Sequence, residues 1–517
     1  MTIDRRGVLR GASALGLGGM FMGGAAWSDP LVPKAVRTIL PSASSDTLAV
    51  KVLLDTPPAH PPVLKIDGRP VEAIRMDSDG YAWGFVQNGL KPATAHALTL
   101  TGADGQRLRA PWTLKTLPAP DAEPESFRIL FFTCAGGDPD PAAHFLEMAA
   151  RRALLDRAVS LQPDLAIANG DHLYWDQNTA LLWRGDANSR AKTAELYHRI
   201  AWIDQDSAFD SETNRRSLNT IVGRQIAALY EERFASIPLV FVVDDHDYFE
   251  NDNGGEWGYS FPPRPFVLKL QQRTAAMAYP FPLYRPKLAG GELTSGTVEA
   301  VRIGKLVEIA AFDCRRGWNE SPFGGVLFPD VEAFLVDRLK TSDAAQYIHV
   351  PSNPMAWTAG KIGEWYEDKP PASVTSSDKG YWPPSWWDQH QRLVKALTAQ
   401  QGRPAITISG DMHASGAKRV TASGDIDLSR NPLEAILCGP VGTGNGWPSA
   451  GRGMFPRLPE KLVGTDVAPT EERNGFTILD VRKDHVEVRQ YRWRPPEPIA
   501  AIATLQPHAT FRIERRA

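Results

Sequence analysis

The sequence predicts an α/β fold with a small all-β unit ahead of it. Three observations carry this expectation. Before residue 118, short β-like runs alternate with turn dipeptides. After residue 125, β-rich runs alternate with segments of helical spacing. At 517 residues, the chain is too long for one small domain and suits two, or one large domain with insertions.

The first unit spans 36–117. Its β-like runs include 48–54, 97–101 and 112–116, and between its runs lie Asp67-Gly68, Asp79-Gly80 and Asp104-Gly105, all good turn formers. This pattern predicts an all-β sandwich. A Pro-rich linker, 118–124, follows. In the α/β unit, 125–517, residues 141–161 carry Phe145, Met148, Leu154, Leu155 and Val159 at helical spacing, and Pro163 stops them. Strand, helix and strand are complete by Ala168, which predicts a parallel βαβ unit. Residues 194–202, 221–234 and 385–398 also read as helical, and the Pro- and Trp-rich stretch 353–388 as a long loop or lid.

A net charge of −3 gives no electrostatic case for a nucleic-acid partner or an anionic membrane surface. The 43 Gly and 42 Pro are spread along the chain, which points to long loops rather than disorder. The N-terminus differs from the rest. Arg5-Arg6 precedes an uncharged, Gly/Ala-rich stretch at 11–26, too short and too weakly apolar for a stable spanning helix. With small residues before Ser28-Asp29, the segment 1–28 reads as a signal peptide; a flexible basic terminus is the alternative. The Arg-Arg pair resembles the twin-arginine type, which exports folded proteins. It implies the twin-arginine translocase as a transient partner, a periplasmic or secreted destination, and no transmembrane segment after signal removal.

Three cysteines, an odd number, cannot form a disulfide framework. Cys438, inside a hydrophobic run, suits a buried inert thiol. Cys134 stands at a strand end in a Gly-rich loop, one of four such ends with chemistry on them. Run 127–133 leads into Cys134-Ala-Gly-Gly, and run 165–168 into Asn169-Gly-Asp171-His-Leu-Tyr174. Run 239–243 leads into Asp244-Asp245-His246-Asp247, and run 405–408 into Ser409-Gly-Asp411-Met-His413. Such runs read as buried strands, and open α/β sheets gather ligands beyond the carboxyl ends of their strands. The four ends therefore suggest one metal site built from distant parts of the chain.

Asp171 suits a bridging carboxylate between two ions, and Tyr174 a hard phenolate ligand for ferric iron; a strand-end Asp with a packing Tyr is the plainer alternative. The carboxylates at 244–247 are costly to bury without cations or hydrogen bonds, unless they form an exposed acidic turn. Asn251-Asp252-Asn253-Gly254-Gly255 offers oxygen donors of the kind calcium prefers, or forms a simple turn. Asp411 and His413, two apart on an extended strand end, are expected to face the same way and could share a metal; a chance D-x-H pair is the plainer alternative. Asp171, Asp245 and Asp411, with Tyr174 phenolate and Cys134 thiolate, supply five negative charges. A ferric ion and a divalent ion balance these, with His413 as a neutral donor.

At these residues the chain resembles the alkaline phosphatase D (PhoD-like) family of calcineurin-like metallophosphoesterases. The motifs G-D-x-x-Y, D-D-H-(E/D) and G-D-x-H stand as 170–174, 244–247 and 410–413, and the cysteine after the first core strand as Cys134. Phe312-Asp313-Cys314-Arg315 looks like the family's D-x-R strand end. Residues 89–94 are similar to the G-L-x-P-x-T turn of its fibronectin-III-like sandwich. The resemblance covers nearly the whole chain after the signal. It implies a fibronectin-III-like sandwich followed by a four-layer α/β/β/α catalytic domain that hydrolyses phosphate mono- or diesters with a metal-bound hydroxide. By position, Cys134, Asp171, Tyr174 and His413 would bind Fe3+. Asp171 would bridge to a second divalent ion, Ca2+ by preference and otherwise Zn2+ or Mn2+, held by Asp245 and Asp411. His246 would sit beside the scissile ester and donate to its leaving oxygen, and Arg315 or Arg316 could fork onto the phosphate, with a surface ion pair as the alternative for either. Two alternatives stand beside this reading. One is a phospholipase-D-like phosphodiesterase of the same fold. The other is a catalytically silent metal-containing binding protein, whose 15 Trp would contact carbohydrate or lipid instead of filling the core.

Overall fold

A computed structural model of the chain describes residues 35–139, 144–178, 200–248, 263–286, 298–319, 321, 323–358, 384–444 and 456–515. The signal segment, the run 251–255, residues 194–199 and the stretch 359–383 lie outside the described residues. The first unit contains two antiparallel four-stranded sheets. One has the order β1 (Val36–Ala43), β2 (Leu48–Leu54), β6 (Ala82–Gln87), β5 (Ile74–Arg75). The other runs β4 (Arg69–Val71), β3 (Val63–Ile66), β7 (Ala95–Thr101), β8 (Trp112–Lys115). Asp67 and Gly68 close the β3–β4 hairpin with φ of +50° and +79°, the left-handed pair that a two-residue turn requires.

Every residue of β2 is buried. Leu48, Val50, Val52 and Leu54 join the hydrophobic cluster of the sandwich interior. Leu53, on the alternate face, packs into the cluster beneath the helices of the second unit, as period-2 geometry requires. The small unit thus docks on the larger through the outer face of one sheet.

The larger unit holds two mixed sheets. The first has the order β11 (Leu239–Val242), β10 (Leu165–Asn169), β9 (Ser126–Phe132), β20 (Asn474–Arg482), β21 (His485–Trp493), β22 (Ala509–Glu514). Its strands β9, β10 and β11 are parallel, so the predicted βαβ unit is present, with α1 (Met148–Ser160) as its crossover. The second sheet runs β12 (Val298–Ile303), β13 (Val307–Phe312), β14 (Gln346–Pro351), β15 (Ala405–Ser409), β18 (Leu433–Cys438), β16 (Ser415–Ser423), β17 (Ile426–Asp427). Strand β19 (Leu462–Glu471) pairs with β16. Here β13, β14, β15 and β18 are parallel. Ile129, Phe131 and Ile167 of one sheet share a buried cluster with Ile309, Ile348, Ile406 and Ile436 of the other.

Helix boundaries depart from expectation where capping outweighed apolar spacing. The helix expected at 221–234 begins earlier, as α2 (Glu212–Val222), because Ser211 caps it by accepting from the Asn214 N–H at 3.3 Å. It passes through a π-turn, Gly223–Ala227, and ends at Tyr230. Residues 200–202 are not helical. Two further helices, α3 (Pro265–Ala278) and α4 (Pro329–Thr341), each open on a proline at the first position, where its missing N–H costs nothing. Helix α5 (Pro384–Thr398) lies where 385–398 was expected. Among the described residues no helix is long and apolar enough to cross a membrane.

Candidate metal centre

The parallel strands of both sheets end at one place, and Thr133 ties them there. Its hydroxyl donates to the Asn169 carbonyl at the end of β10 at 2.5 Å and accepts from the Asp411 N–H beyond β15 at 3.3 Å. Its own N–H donates to Gly439 O beyond β18 at 3.1 Å. Asn169 Nδ2 reaches Pro351 O at the end of β14 at 3.0 Å. So close a junction leaves no room for side chains at two glycines. A Cβ on Gly410 would stand 2.1 Å from Thr133 Oγ1, and one on Gly170, at φ +84°, would stand 2.5 Å from the Asp244 Cβ.

Four non-glycine residues here adopt left-handed backbone: Cys134 (φ +47°), Asp171 (+58°), Asp411 (+68°) and His413 (+50°). L-residues avoid this region, and such strain concentrates at functional sites held in place by their surroundings. It also corrects one expectation. Asp411 and His413 do not alternate along a strand, because β15 ends at Ser409 and a tight turn, Met412 N–H to Gly410 O at 2.8 Å, follows. The two side chains enter different donor groups instead.

Those groups are three, each with ligand atoms within 4.8 Å of one another: Cys134, Asp171 and His413; Asp171, Asp245 and His246; Asp244, Asp245 and Asp411. Asp171 belongs to the first two and Asp245 to the last two, so the donors form one continuous set. All of them are buried. Tyr174 Oη donates to Asp171 Oδ2 at 3.0 Å, while Asp171 Oδ1 has no hydrogen-bond partner among the described residues. The Tyr174 ring lies 4.6 Å from Phe145, edge-on, and 4.1 Å from His246. His246, expected beside the substrate rather than on the metal, stands in one donor group with Asp171 and Asp245.

Arg315 is fully buried among carboxylates. Its Nε donates to Asp244 Oδ1 at 2.5 Å, and Nη2 lies 3.3 Å from Asp411 Oδ1 and 3.8 Å from Asp245 Oδ2. Asp313 shapes the turn that presents it, accepting from the N–H groups of Arg315 (2.6 Å) and Arg316 (3.2 Å) and from Tyr248 Oη (2.6 Å). This geometry fits a positioning residue for the carboxylates.

The electrostatics call for cations. Asp171, Asp244, Asp245, Asp247 and Asp411 are all buried. Burial pushes the Asp171 and Asp244 carboxyls up, against the pull of His246 on the first and Arg315 on the second. Burial likewise raises the Cys134 thiol and the Tyr174 phenol, with the negative charge of Asp171 next in effect on each. A buried acid set of this density is costly unless cations neutralise it, and a partnerless carboxylate oxygen amid Cys, Tyr and His donors suits metal ions. By contrast Cys314 and Cys438, raised mainly by burial, belong to none of these groups.

Three further residues hold the loops of the site together. Asp247 accepts N–H bonds from Asp171, His172, Leu173 and Asp244 at 3.0–3.1 Å, plus the Tyr279 hydroxyl at 2.9 Å. It buckles the loop after β10 to the loop after β11. Gln225, in the π-turn, accepts from the N–H groups of Tyr174 and Gly137, both at 2.8 Å. Buried Arg151 holds the loop of Cys134, donating to Gly136 O at 2.7 Å and Gly137 O at 2.5 Å. Asp247 was visible as the last residue of its acidic run; for Gln225 and Arg151 no local pattern was available.

No protein-family model and no curated protein matches the sequence. Solved structures do match. One described as the structure of PhoD aligns over 94% of this chain and 92% of its own, at 13% identity and a TM-score of 0.59. The fold is that of PhoD. A second, purple acid phosphatase PPD1 from yellow lupin (Lupinus luteus) seeds, aligns over 94% of this chain and 75% of its own, at 11% identity and a TM-score of 0.55. The likeness to both folds thus extends over 94% of this chain.

Proposed function

We propose that the chain is a metal-dependent phosphoesterase whose centre is the continuous donor set around Asp171. The observation that carries this is Asp171 itself, shared between two groups of buried donors in a fold whose solved relatives include a PhoD structure and a purple acid phosphatase. Cys134, Asp171, Tyr174 and His413 would hold Fe3+, and Asp171, Asp245 and Asp411 a second divalent ion, with Ca2+ favoured. Bound ions would supply Lewis acidity toward the phosphoryl oxygens and lower the pKa of an attacking water. Arg315 keeps Asp244, Asp245 and Asp411 converged while the site is being filled. His246 would hold the proton destined for the leaving alkoxide, oriented by the Tyr174 ring against it. Shared packing between the six- and eight-stranded sheets supports the four-layer α/β/β/α reading of residues 125–517. The paired sheets of 36–117 support the fibronectin-III-like one.

Colour tests the metal assignment. With Tyr174 and Cys134 both on ferric iron, the purified protein should absorb in the visible through ligand-to-metal charge transfer. Cys134→Ser should shift or abolish the band, and Cys438→Ser should leave it alone. A colourless, fully active protein containing only zinc or calcium would refute the iron assignment.

We also propose export in the folded state, from the Arg5-Arg6 pair ahead of its weakly apolar stretch. Replacing the pair by Lys-Lys should leave the protein in the cytoplasm. Equal periplasmic yield from that variant in fractionated cells would overturn the export route.

A further inference from the structure

The seam between the small unit and the α/β body encloses a cavity of about 300 Å3, at the lower end of the range for small-molecule sites. Residues of neither the three donor groups nor the Thr133 junction line it. Its floor is Lys51 of β2, only 2% exposed, although its position on the outer face of β2 is an ordinary one for an apolar residue. The Lys51 Nζ donates to Ala275 O on α3 at 2.9 Å and lies 4.8 Å from the Phe281 ring centroid. An ammonium group has three donors, and this is its one hydrogen bond among the described residues. At the mouth stands Arg285, its side chain 44% exposed, with Nε 3.3 Å from Glu299 Oε1. The second Glu299 oxygen accepts from the Tyr284 N–H at 3.2 Å. Phe281, Pro282 and Met76 supply apolar wall.

We propose that this cavity binds a small organic oxyanion, its charged head between Lys51 and Arg285 and its apolar or aromatic body against Phe281, Pro282 and Met76. Three cationic residues, Lys51, Arg285 and Arg316, line one cavity there, and the single carboxylate among the lining residues, Glu299, is engaged by Arg285 and a backbone N–H. A buried ammonium without a counter-ion is unstable as such. Burial, and secondarily the repulsion of Arg285, pull Lys51 down to about 7, and a bound anion would relieve both effects. Tyr279 separates the cavity from the metal centre: it lines the cavity and gives its hydroxyl to Asp247.

The probe is phenylphosphonate, a non-hydrolysable oxyanion with an aromatic body, titrated calorimetrically into the metal-loaded protein. Because this proposal is independent of the phosphoesterase reading, the two fail differently. The wild type should bind two equivalents, one at the metal centre and one in the cavity, and removal of metal by a chelator should leave one. Lys51→Met, which keeps the length of the side chain in an apolar seam, should fold and retain turnover. It should bind the cavity equivalent about ten- to a hundredfold more weakly, as for loss of a charge-assisted hydrogen bond. Arg285→Gln should weaken the same equivalent. If Lys51→Met binds as the wild type does, or changes only the melting temperature, Lys51 is a packing residue and the proposal is overturned. If instead the wild type binds a single, chelator-insensitive equivalent that Lys51→Met removes, the cavity site stands and the phosphoesterase reading loses its support.

Discussion

Asp171→Asn is expected to give a folded protein that has lost bound metal and hydrolytic activity together. Asp171 belongs to two of the three donor groups, so replacing one oxygen by an amide should weaken metal binding at both groups at once. The loss should be about 10³-fold or more, since metal ions contribute several kcal/mol to the transition state and each 1.4 kcal/mol is a factor of ten. The fold should survive, because the amide keeps the shape of the side chain and removes one negative charge from a crowded acid cluster. Metal analysis, circular dichroism and turnover on mono- and diester substrates check the three parts. An Asn variant that keeps both metals at wild-type stoichiometry would remove Asp171 from the bridging position.

His246→Ala provides the contrast. His246 lies tilted against the Tyr174 ring and also belongs to the donor group of Asp171 and Asp245, so it is placed to serve as an acid or as a ligand. As an acid, its loss should spare the metals and reduce turnover by about 10²–10⁴-fold, most severely on esters with poor leaving groups. Metal content falling in step with activity would assign it to the ions instead.

Much of this arrangement was legible in the sequence, for a definite reason. Cys134, Asp171, Tyr174, Asp245, Asp411 and His413 follow hydrophobic runs directly, and a parallel strand delivers whatever follows it to the same edge of the sheet. Hairpins at Asp67-Gly68 and its like were legible because a φ above zero selects its own residue types. What the sequence could not convey was partnership at a distance. Gln225 meets Tyr174 only because a π-turn rotates it inward, and Arg151 meets Gly136 only because α1 folds back over the loop it follows. Asp411 and His413 enter different donor groups because the strand ends at Ser409 and a tight turn replaces the extended alternation. The left-handed residues that end the strand carry Cβ atoms, and nothing in their identity announced that conformation. Lys51 lies in an otherwise apolar run, and only the docking of α3 on β2 turns that position into part of a cavity.

Asp247→Asn should have the second large effect, and on stability as much as on chemistry. Asp247 Oδ2 accepts from the N–H groups of Asp171 and Asp244, and Oδ1 from those of His172 and Leu173 and from the Tyr279 hydroxyl. Whichever way an asparagine amide is turned, its NH2 group meets at least two of these donors, and they lose their acceptor in a fully buried place. Each stranded donor costs about 1–3 kcal/mol, so a destabilisation of about 3–5 kcal/mol is expected, the range for breaking a buried charged network. Burial acts against the carboxylate, raising its pKa, and His172 and the surrounding donors offset this in part. The charge is thus retained for the contacts it makes. The loops it joins carry Asp171 on one side and Asp244 and Asp245 on the other, so metal affinity should fall by about 10- to 100-fold, as for other outer partners of metal ligands. Chemical denaturation of the metal-free protein isolates the first effect, and titration of metal into the folded variant the second. Wild-type stability in the metal-free variant would mean that the loops after β10 and β11 hold their shape without the buckle. The three donor groups would then owe their geometry to the strand ends alone.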